Sequence, residues 1–258
     1  MSGHISIASW NVNGLRAIYR KGFMDVVRQH QFDIICLQEI KARPDQLPSQ
    51  LLNLKGYQAY FFAGQRPGYS GVAVYSRIKP ESAGYGFGIQ RFDDEGRVLW
   101  LDFGSFILFN TYMPNGGRDK VRLDYKLDFY YSFLDHLKQG WGKHKGLIVT
   151  GDINTAHQPI DLARPRQNKN NTGFLPQERE WIDRLLDSGF VDTFRLFCSE
   201  AGHYSWWDYK TRARERNVGW RLDYFFATKN LQPRVKDSYI MPQVTGSDHC
   251  PVVLKLGI

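Results

Sequence analysis

Short apolar runs that end abruptly on polar residues recur along this chain. The run at residues 147–149, Leu-Ile-Val, leads through Thr150 and Gly151 to Asp152 and, two residues later, Asn154. An apolar run of this length bounded by glycine predicts an interior strand. Because side chains alternate along a strand, the Asp152 carboxylate and the Asn154 carboxamide would share one face. For this segment alone, a strand end followed by a turn is the simpler interpretation, since Asp and Asn are common in turns.

Five further segments repeat this pattern, each a predicted strand that carries or adjoins polar residues. They are residues 5–10 before Asn11 and Asn13, 34–37 before Glu39, 106–109 leading to Tyr112, 220–226 around Asp223, and 252–254 after Asp248 and His249. Residues 71–76 form another predicted strand, without such a polar end.

Two longer segments have the spacing of amphipathic helices. Residues 177–187 follow Pro176, a residue typical of helix starts. Residues 119–138 place apolar side chains at largely helical spacing, namely Val121, Leu123, Leu127, Tyr130, Tyr131, Leu134 and Leu137. Strands outnumber helices, and several successive strands lack an intervening helix. The pattern therefore favours an α/β fold of mixed sheets covered by helices over a purely parallel arrangement.

Length and composition predict one soluble domain. The chain has 258 residues with 42% hydrophobic content, and no linker or low-complexity segment divides residues 1–258. No secretion signal opens it, and no apolar run approaches the ~18 residues of a membrane span. We therefore discount a glycosylation sequon at residues 170–172. Cys36 and Cys250 lie in apolar surroundings and are expected to be reduced core residues of a cytoplasmic protein.

Charge points to an anionic partner. The net charge is +8, the isoelectric point is near 9.3, and either nucleic acid or an anionic membrane surface would fit. The basic residues form three groups, one of them following Trp206 and Trp207: Arg16, Arg20 and Lys21; Arg164, Arg166 and Lys169; Lys210, Arg212, Arg214 and Arg216. Basic residues beside aromatics suit a surface that follows a phosphate backbone. A solvated helix or loop face explains the same charges.

The polar residues at the predicted strand ends suggest a catalytic site. Strand ends on one edge of a sheet converge in space, and active sites collect there. The set comprises Asn11, Asn13, Glu39, Tyr112, Asp152, Asn154, Asp223, Asp248 and His249. Hard oxygen ligands without a cysteine cluster favour Mg²⁺ or Mn²⁺ over structural zinc. GxGxxG and GxxxxGK[ST] motifs are absent, so a nucleotide cofactor is unsupported. Acids, a histidine and a metal site fit metal-assisted phosphodiester hydrolysis, and the basic surface favours a polymeric substrate.

The motifs resemble those of the exonuclease III family of abasic-site (AP) DNA repair endonucleases. The matching segments follow the family order from residue 5 to residue 256: SWNVNGLR, LQEIK, NTYMPNGGR, GDINTAH, NVGWRLDYFF and GSDHCP. The resemblance implies a four-layer α/β sandwich, with two mixed β-sheets packed face to face and helices outside. It also implies a cytoplasmic prokaryotic monomer that acts on double-stranded DNA containing abasic sites. Such an enzyme cuts 5′ to the abasic site and leaves a 3′-hydroxyl.

The same resemblance implies roles for the strand-end residues. Glu39 is the main metal carboxylate, accompanied by Asp248, Asn11 and Asn13, with Asp152, Asn154 and His249 also near the ion. Asp152 handles the protons of the nucleophilic water, which Asn154 helps to hold. His249, oriented by Asp223, contacts the phosphate, and Tyr112 lies against it. Asn13 stands where some members have Asp, so one negative charge near the metal is missing.

Further residues correspond to the DNA-binding surface of that family. The positions expected to hold DNA are Arg16, Lys21, Tyr69, Asn115, Arg118, Asn168 and Asn171. Trp206, Trp220 and Leu222 are expected to surround the flipped abasic sugar, although composition alone would place Trp220 and Leu222 in an ordinary core.

Three other functions remain open at this point. A lipid or inositol-phosphate phosphoesterase would use the same catalytic core, but the basic aromatic segment and GWRLDYFF argue against it. A catalytically inactive DNA-binding protein would normally lack some of the acids, which are all present. A general 3′–5′ exonuclease or a ribonuclease differs only in loop shape, and cleavage at uracil is equally open.

Overall fold

The computed structural model describes residues 3–117, 119–141 and 145–257. Within them lie twelve strands and seven α-helices. The strands are β1 (His4–Asn11), β2 (Ile34–Gln38), β3 (Gln58–Phe62), β4 (Val72–Ser76), β5 (Ser82–Tyr85), β6 (Val98–Asp102), β7 (Phe106–Tyr112), β8 (Gly146–Asp152), β9 (Phe190–Asp192), β10 (Asp223–Thr228), β11 (Val235–Ile240) and β12 (Val252–Gly257). The helices are α1 (Leu15–Tyr19), α2 (Phe23–His30), α3 (Ser49–Leu52), α4 (Gln90–Asp93), α5 (Lys120–Lys138), α6 (Pro165–Asn168) and α7 (Pro176–Asp187).

The strands form two six-stranded sheets of closely related topology. One sheet has the order β11-β12-β1-β2-β4-β3 and the other β5-β6-β7-β8-β10-β9. In each sheet the two central strands are parallel, β1 with β2 and β7 with β8, and the remaining pairs are antiparallel. Both sheets are therefore mixed, as the sequence pattern predicted.

Alternation along the central strands divides the core into layers. In β8, Ile148 faces the other sheet, whereas Leu147 and Val149 face the cluster that includes α5 and α7. In β1, Ile7 packs between the sheets and Trp10 packs against the layer of α1 and α2. The inter-sheet layer thus has helices on both outer sides. The four-layer α/β sandwich is confirmed.

The helix predicted at residues 119–138 forms, but its buried face differs from the prediction. Asp119 caps α5 by accepting a hydrogen bond from the Arg122 backbone N–H at 2.8 Å. Val121 is 77% exposed, whereas Lys126 is fully buried along with Phe129. A hydrophobicity pattern predicts that valine is buried and that lysine is exposed. It therefore could not predict that Val121 is exposed and Lys126 buried.

The strand predicted at residues 220–226 begins only at Asp223. Trp220 instead exchanges backbone hydrogen bonds with Trp206, and the Arg221 N–H donates to the Asp161 carbonyl. These contacts with two loops keep residues 220–222 outside the sheet. Among the described residues, none of the helices combines the length and the apolar character that crossing a bilayer requires.

Candidate active site

The carboxyl ends of the four central strands bring polar side chains to one edge of the sandwich. Asn11 ends β1, Glu39 follows β2, Tyr112 ends β7 and Asp152 ends β8. Asp223 begins β10 directly opposite Asp152 in the antiparallel ladder. Because both sheets place their parallel strands at the centre, these residues converge from two sheets on one place.

A cavity of about 300 Å³ opens at this edge. Ten of the candidate residues line it together with two residues from another loop, Thr172 and Gly173. The ten are Glu39, Tyr112, Asn115, Asp152, Asn154, Trp206, Trp220, Leu222, Asp248 and His249. Asn11, Asn13 and Asp223 lie behind this lining and hydrogen-bond to it.

Two equivalent turns end β1 and β8. The Asn11 Oδ1 accepts the Asn13 backbone N–H at 3.0 Å, and the Asp152 Oδ1 accepts the Asn154 backbone N–H at 2.8 Å. Asn13 and Asn154 both have a left-handed backbone, with φ of 47° and 56°. Asparagine tolerates this conformation better than most residues. The side-chain turn therefore explains why each strand stops on a pair of polar residues two positions apart.

Asp152 is a buried carboxylate with several donors around it. Its Oδ2 accepts Asn11 Nδ2 at 2.9 Å and Asn154 Nδ2 at 3.2 Å. Burial raises the pKa of Asp152 to about 7, with the negative charges of Asp223 and Glu39 adding to the effect and His249 opposing it. A carboxylate with such a pKa can accept a proton near neutral pH.

His249 is held by Asp223 and faces Asp152. Its Nδ1 lies 2.8 Å from Asp223 Oδ2, and its Nε2 lies 3.7 Å from Asp152 Oδ2. The Ser205 hydroxyl donates to the same Asp223 oxygen at 2.6 Å. Burial disfavours the charged imidazole, but Asp223 and Asp152 outweigh it and raise the pKa of His249 to about 10. His249 is therefore protonated at neutral pH, with one N–H fixed on Asp223.

Glu39 and Asp248 are linked through a lysine and an asparagine. Lys41 Nζ lies 2.7 Å from Glu39 Oε2 and 2.6 Å from Asn13 Oδ1. Asn13 Nδ2 donates to Asp248 Oδ1 at 2.9 Å. Burial disfavours ionisation of Glu39, but Lys41 and the Asn11 amide lower the pKa of its carboxyl. Burial likewise opposes ionisation of Asp248, whose pKa is lowered because His249 and Asn13 outweigh it.

The donor set of this edge fits a hard divalent cation. Carboxylate oxygens of Asp152 and Asp223 lie within 4.8 Å of each other, whereas His249 in the same cluster is protonated and held by Asp223. The buried Asp223 Oδ1 has no hydrogen-bond partner among the described residues. Glu39 and Asp248 add further carboxylate oxygens on the wall of the same cavity. Oxygen ligands of this kind bind Mg²⁺ or Mn²⁺.

Tyr112 and Tyr69 are joined by a buried arginine. The guanidinium of Arg97 lies 4.7 Å from the Tyr112 ring centroid and donates to the Tyr112 carbonyl at 2.9 Å. It also donates to the Tyr69 hydroxyl at 2.8 Å. Tyr69 does not line the cavity, but this contact connects it to Tyr112. Burial, with Glu39 adding to it, raises the pKa of Tyr112, so its phenol stays protonated.

An apolar wall stands beside the acids. The rings of Trp206 and Trp220 meet edge to face with centroids 6.4 Å apart, and Leu222 packs with them in one small cluster. Trp206 Nε1 donates to Asp248 Oδ2 at 3.2 Å, which ties the wall to the polar side. A Cβ on Gly173 would come within 3.3 Å of the Trp220 ring. The Trp220 ring therefore packs closely against Gly173 at the edge of the cavity.

The candidate DNA-binding residues differ in their exposure. Asn115 lines it and donates to Asn154 Oδ1 at 3.1 Å. Arg16 and Lys21 are exposed on and after α1, Asn171 is exposed, and Asn168 is half-buried at the end of α6. Arg118 falls outside the described residues.

Arg214 differs from the rest of the basic segment at residues 210–216. Its guanidinium donates to the carbonyls of Pro242, Val244 and Ser247 and lies 4.5 Å from the Trp207 ring centroid. It therefore holds the loop before Asp248, whereas Lys210, Arg212 and Arg216 are exposed.

Several residues of the site were not identified from the sequence. Lys41 lies inside the LQEIK motif, so its position two residues after Glu39 could have identified it from the sequence. Ser205 donates to Asp223 and accepts the Asp223 N–H at 3.1 Å, yet a serine before two tryptophans carries no such signal. Thr172 and Gly173 reach the cavity from a distant loop, which only the tertiary fold reveals.

Known proteins resemble this chain in sequence and in fold. Residues 8–249 match the model of the endonuclease/exonuclease/phosphatase family. An exodeoxyribonuclease of Bacillus subtilis is 42% identical over 98% of this chain and its own full length. The DNA repair nuclease APEX1 of Danio rerio is 43% identical over 100% of this chain and 84% of its own. The structure of an AP endonuclease from Archaeoglobus fulgidus superposes with a TM-score of 0.89 at 29% identity, covering 98% of this chain and 100% of that one.

Proposed function

The chain belongs to the endonuclease/exonuclease/phosphatase family, and we propose that it is a metal-dependent AP endonuclease of DNA base excision repair. It hydrolyses the phosphodiester 5′ to an abasic site in double-stranded DNA and leaves a 3′-hydroxyl. Its relatives are named as an exodeoxyribonuclease, a DNA repair nuclease and an AP endonuclease, and its net charge of +8 suits a DNA substrate.

The observation that carries the proposal is the apolar wall beside Asp152 and His249. Trp206, Trp220 and Leu222 line the same 300 Å³ cavity as the acids. A nucleotide without a base loses little stacking when it leaves the helix, so its extrusion costs less than that of a normal nucleotide. A bare deoxyribose can pack on such a wall, and we expect the wall to leave less room for a nucleotide that carries a base.

Asp152 and His249 divide the proton chemistry. The carboxylate of Asp152 accepts a proton from the attacking water, since its pKa is raised to about 7 and Asn154 and Asn11 fix its orientation. Protonated His249 presents Nε2–H to a phosphate oxygen while Asp223 holds Nδ1. The protonated Tyr112 hydroxyl lies against the phosphate as a neutral donor.

Glu39 and Asp248 are the carboxylates proposed to hold Mg²⁺, for which Mn²⁺ can substitute, with Asn11 and Asp152 beside them. Asn13 contributes through the carboxamide that joins Asp248 to Lys41. When bound, the ion offsets negative charge that develops on the scissile phosphate. The Lys41 ammonium on Glu39 means that this carboxylate is already ionised and oriented before an ion arrives.

Side chains outside the cavity are assigned to DNA binding. Arg16, Lys21, Tyr69, Asn168 and Asn171 contact the DNA on either side of the cavity. The protein acts as a monomer of one domain in a reducing prokaryotic cytoplasm, in keeping with three cysteines that are all free.

A panel of matched duplexes tests the activity. The duplexes bear an abasic site, a uracil, a 3′-phosphate or no lesion, and each is incubated with Mg²⁺ or with EDTA. We expect cleavage 5′ to the abasic site that EDTA abolishes and that Glu39→Gln slows without unfolding the protein. Equal cleavage of all four duplexes would indicate a general exonuclease instead, and undiminished cleavage in excess EDTA would rule out the metal.

A further inference from the structure

A fully buried ion pair lies directly behind the cavity. Lys126 of α5 and Glu178 of α7 are both 0% exposed, and Lys126 Nζ lies 2.6 Å from Glu178 Oε1. Burial lowers the pKa of Lys126, and Glu178 only partly offsets this effect. A buried ion pair often stabilises a fold no better than apolar residues of the same volume. Its polar contacts therefore suggest a role other than stability.

The lysine fixes the backbone of one cavity wall. Its ammonium group donates to the Asn154 carbonyl at 2.7 Å and to Thr155 Oγ1 at 2.9 Å. With Glu178 as the third acceptor, all three ammonium protons are used. Asn154 has a left-handed backbone and carries the side chain that meets Asp152. Lys126 thus holds the carbonyl of the residue whose side chain borders the reacting centre.

The glutamate fixes the neighbouring segment of the cavity lining, which contains Thr172 and Gly173. Its Oε1 accepts Thr172 Oγ1 at 2.8 Å, and its Oε2 accepts the Gly173 N–H at 2.7 Å. The Leu175 N–H also donates to Oε2, at 2.9 Å, which caps the first turn of α7. The bonds to Thr172 and Gly173 are not needed for that cap. Both of those residues line the cavity, and Gly173, with φ of 89°, lies against Trp220.

The packing of α5 on α7 has other support. Farther along the two helices, Trp181 Nε1 donates to the Tyr130 carbonyl at 2.6 Å, and the two rings pack with centroids 4.6 Å apart. Both aromatic residues are fully buried. The ion pair is therefore not the only contact that joins the helices. The segments of Asn154 and Gly173 also meet directly, because the Ala156 N–H donates to the Gly173 carbonyl at 2.8 Å, but the ion pair is the connection that runs through side chains of α5 and α7.

We propose that the Lys126–Glu178 pair is a positioning element that, together with the backbone bond between Ala156 and Gly173, fixes the Thr172–Gly173 segment of the cavity lining relative to the Asn154 segment. By keeping Gly173 against Trp220, it limits the width of the cavity and so contributes to the preference for an abasic nucleotide over one that carries a base. This inference rests on the proposed function, because it concerns the selectivity of the same cavity. An apolar pair could not replace it, since the Asn154 carbonyl and the Gly173 N–H would lose their partners.

The deciding quantity is the ratio of kcat/KM for an abasic duplex to kcat/KM for the same duplex with a base. Lys126→Met should lower this ratio by about 10–100-fold, the effect of one hydrogen bond to a charged group. Thr172→Val keeps the shape and the ion pair but removes one bond to Glu178, and should lower the ratio by up to about tenfold. Mg²⁺ affinity should change little in either variant.

Two controls separate positioning from stability. Glu180→Gln makes a related change in an exposed ion pair of α7, with Arg184 at 2.7 Å. Leu137→Ala destabilises the far end of α5, where Leu137 is buried away from the cavity. Both controls should leave the ratio unchanged, even where Leu137→Ala lowers Tm as much as Lys126→Met does.

Hydrogen exchange of the peptide containing Gly173 provides a readout independent of cleavage. We expect faster exchange in Lys126→Met and Thr172→Val but not in Leu137→Ala. An unchanged ratio in folded Thr172→Val and Lys126→Met, or a parallel loss in Leu137→Ala, would overturn the positioning role. If Lys126→Met fails to fold, Thr172→Val decides alone. A wild-type enzyme without abasic cleavage would refute the proposed function, and the exchange data would then show whether the pair still fixes the two segments.

Discussion

Asp152→Asn tests the proton chemistry with the smallest change of shape. The Asp152 carboxylate accepts three hydrogen bonds, from the Asn154 N–H, Asn154 Nδ2 and Asn11 Nδ2. An asparagine at 152 can present only one oxygen, so its amide group must face at least one donor. The substitution also removes a buried negative charge beside Asp223 and Glu39, which favours the folded state. We expect these effects to offset each other, with a net change in unfolding free energy within about 2 kcal/mol.

The catalytic loss should be much larger than the loss of stability. Removing a general base lowers turnover by about 10²–10⁴-fold, which corresponds to roughly 3–5 kcal/mol of activation free energy. Affinity for abasic DNA should change far less, because Asp152 does not belong to the basic surface that is expected to bind the DNA phosphates. The comparison of kcat with Kd therefore separates a proton-transfer role from a binding role.

The pH profile gives a second signature of the same variant. Wild-type turnover should rise with pH as Asp152 loses its proton. The midpoint of this rise should lie at or below pH 7, because a bound cation lowers the pKa of Asp152 from its value of about 7. Turnover should fall at high pH, because His249, with a pKa of about 10, then loses its proton. In Asp152→Asn the acid limb should disappear and the alkaline limb should move to lower pH, since Asp152 is one of the charges that raise the pKa of His249. Single-turnover cleavage measured across pH, with binding measured by anisotropy in EDTA, checks both expectations. A variant that cleaves at the wild-type rate, keeps the acid limb or loses only affinity would refute the assignment.

Three further predictions concern the metal, the histidine and the DNA surface. Asn13→Asp places a second carboxylate against Asp248 Oδ1, to which the Asn13 amide now donates. The Mg²⁺ concentration needed for half-maximal cleavage should therefore fall. An unchanged or higher Mg²⁺ requirement would show that Asn13 does not belong to the metal site. His249→Gln should lower the unfolding free energy most below about pH 6.5. The difference in unfolding free energy from the wild type should shrink as pH rises through about 10, because a raised pKa stabilises the fold only while His249 is protonated. A difference that grows with pH would contradict the protonated state. Lys21→Ala should reduce the slope of log affinity against log salt by about 0.9. Arg214→Ala should instead lower Tm, since Arg214 holds the loop carbonyls before Asp248. An unaltered slope for Lys21→Ala would show that Lys21 does not contact the DNA.

The strand ends could be predicted from the sequence because their signal is local. An apolar run followed by Asn11 or Asp152 defines both the strand and its polar end. The side-chain turns at those two residues supply the physical reason. That both sheets place their parallel strands at the centre, so that these ends meet, followed only from the structure. Sequence periodicity contains no information on strand order.

Long-range contacts account for what the pattern could not predict. Lys126 stands within an apolar helical stripe, and only Asn154, Thr155 and Glu178 from distant segments make its burial tolerable. Trp220 was predicted to belong to a strand because it opens an otherwise largely apolar segment, residues 220–226. Its pairing with Trp206 keeps it out of the sheet. In both cases a partner far along the chain, rather than the local sequence, determines the conformation.

The selectivity of the cavity is the central claim, and truncation of its wall tests it most directly. Trp206→Ala and Trp220→Ala each remove a ring that lines the cavity beside Asp248 and His249. The measurement is the ratio of kcat/KM for an abasic duplex to kcat/KM for a base-bearing duplex of the same sequence, with folding confirmed by thermal unfolding. We expect both variants to cleave the abasic duplex less efficiently and to discriminate less, so the ratio should fall. A ratio equal to that of the wild type in both folded variants would contradict the account and make Trp206 and Trp220 ordinary packing residues.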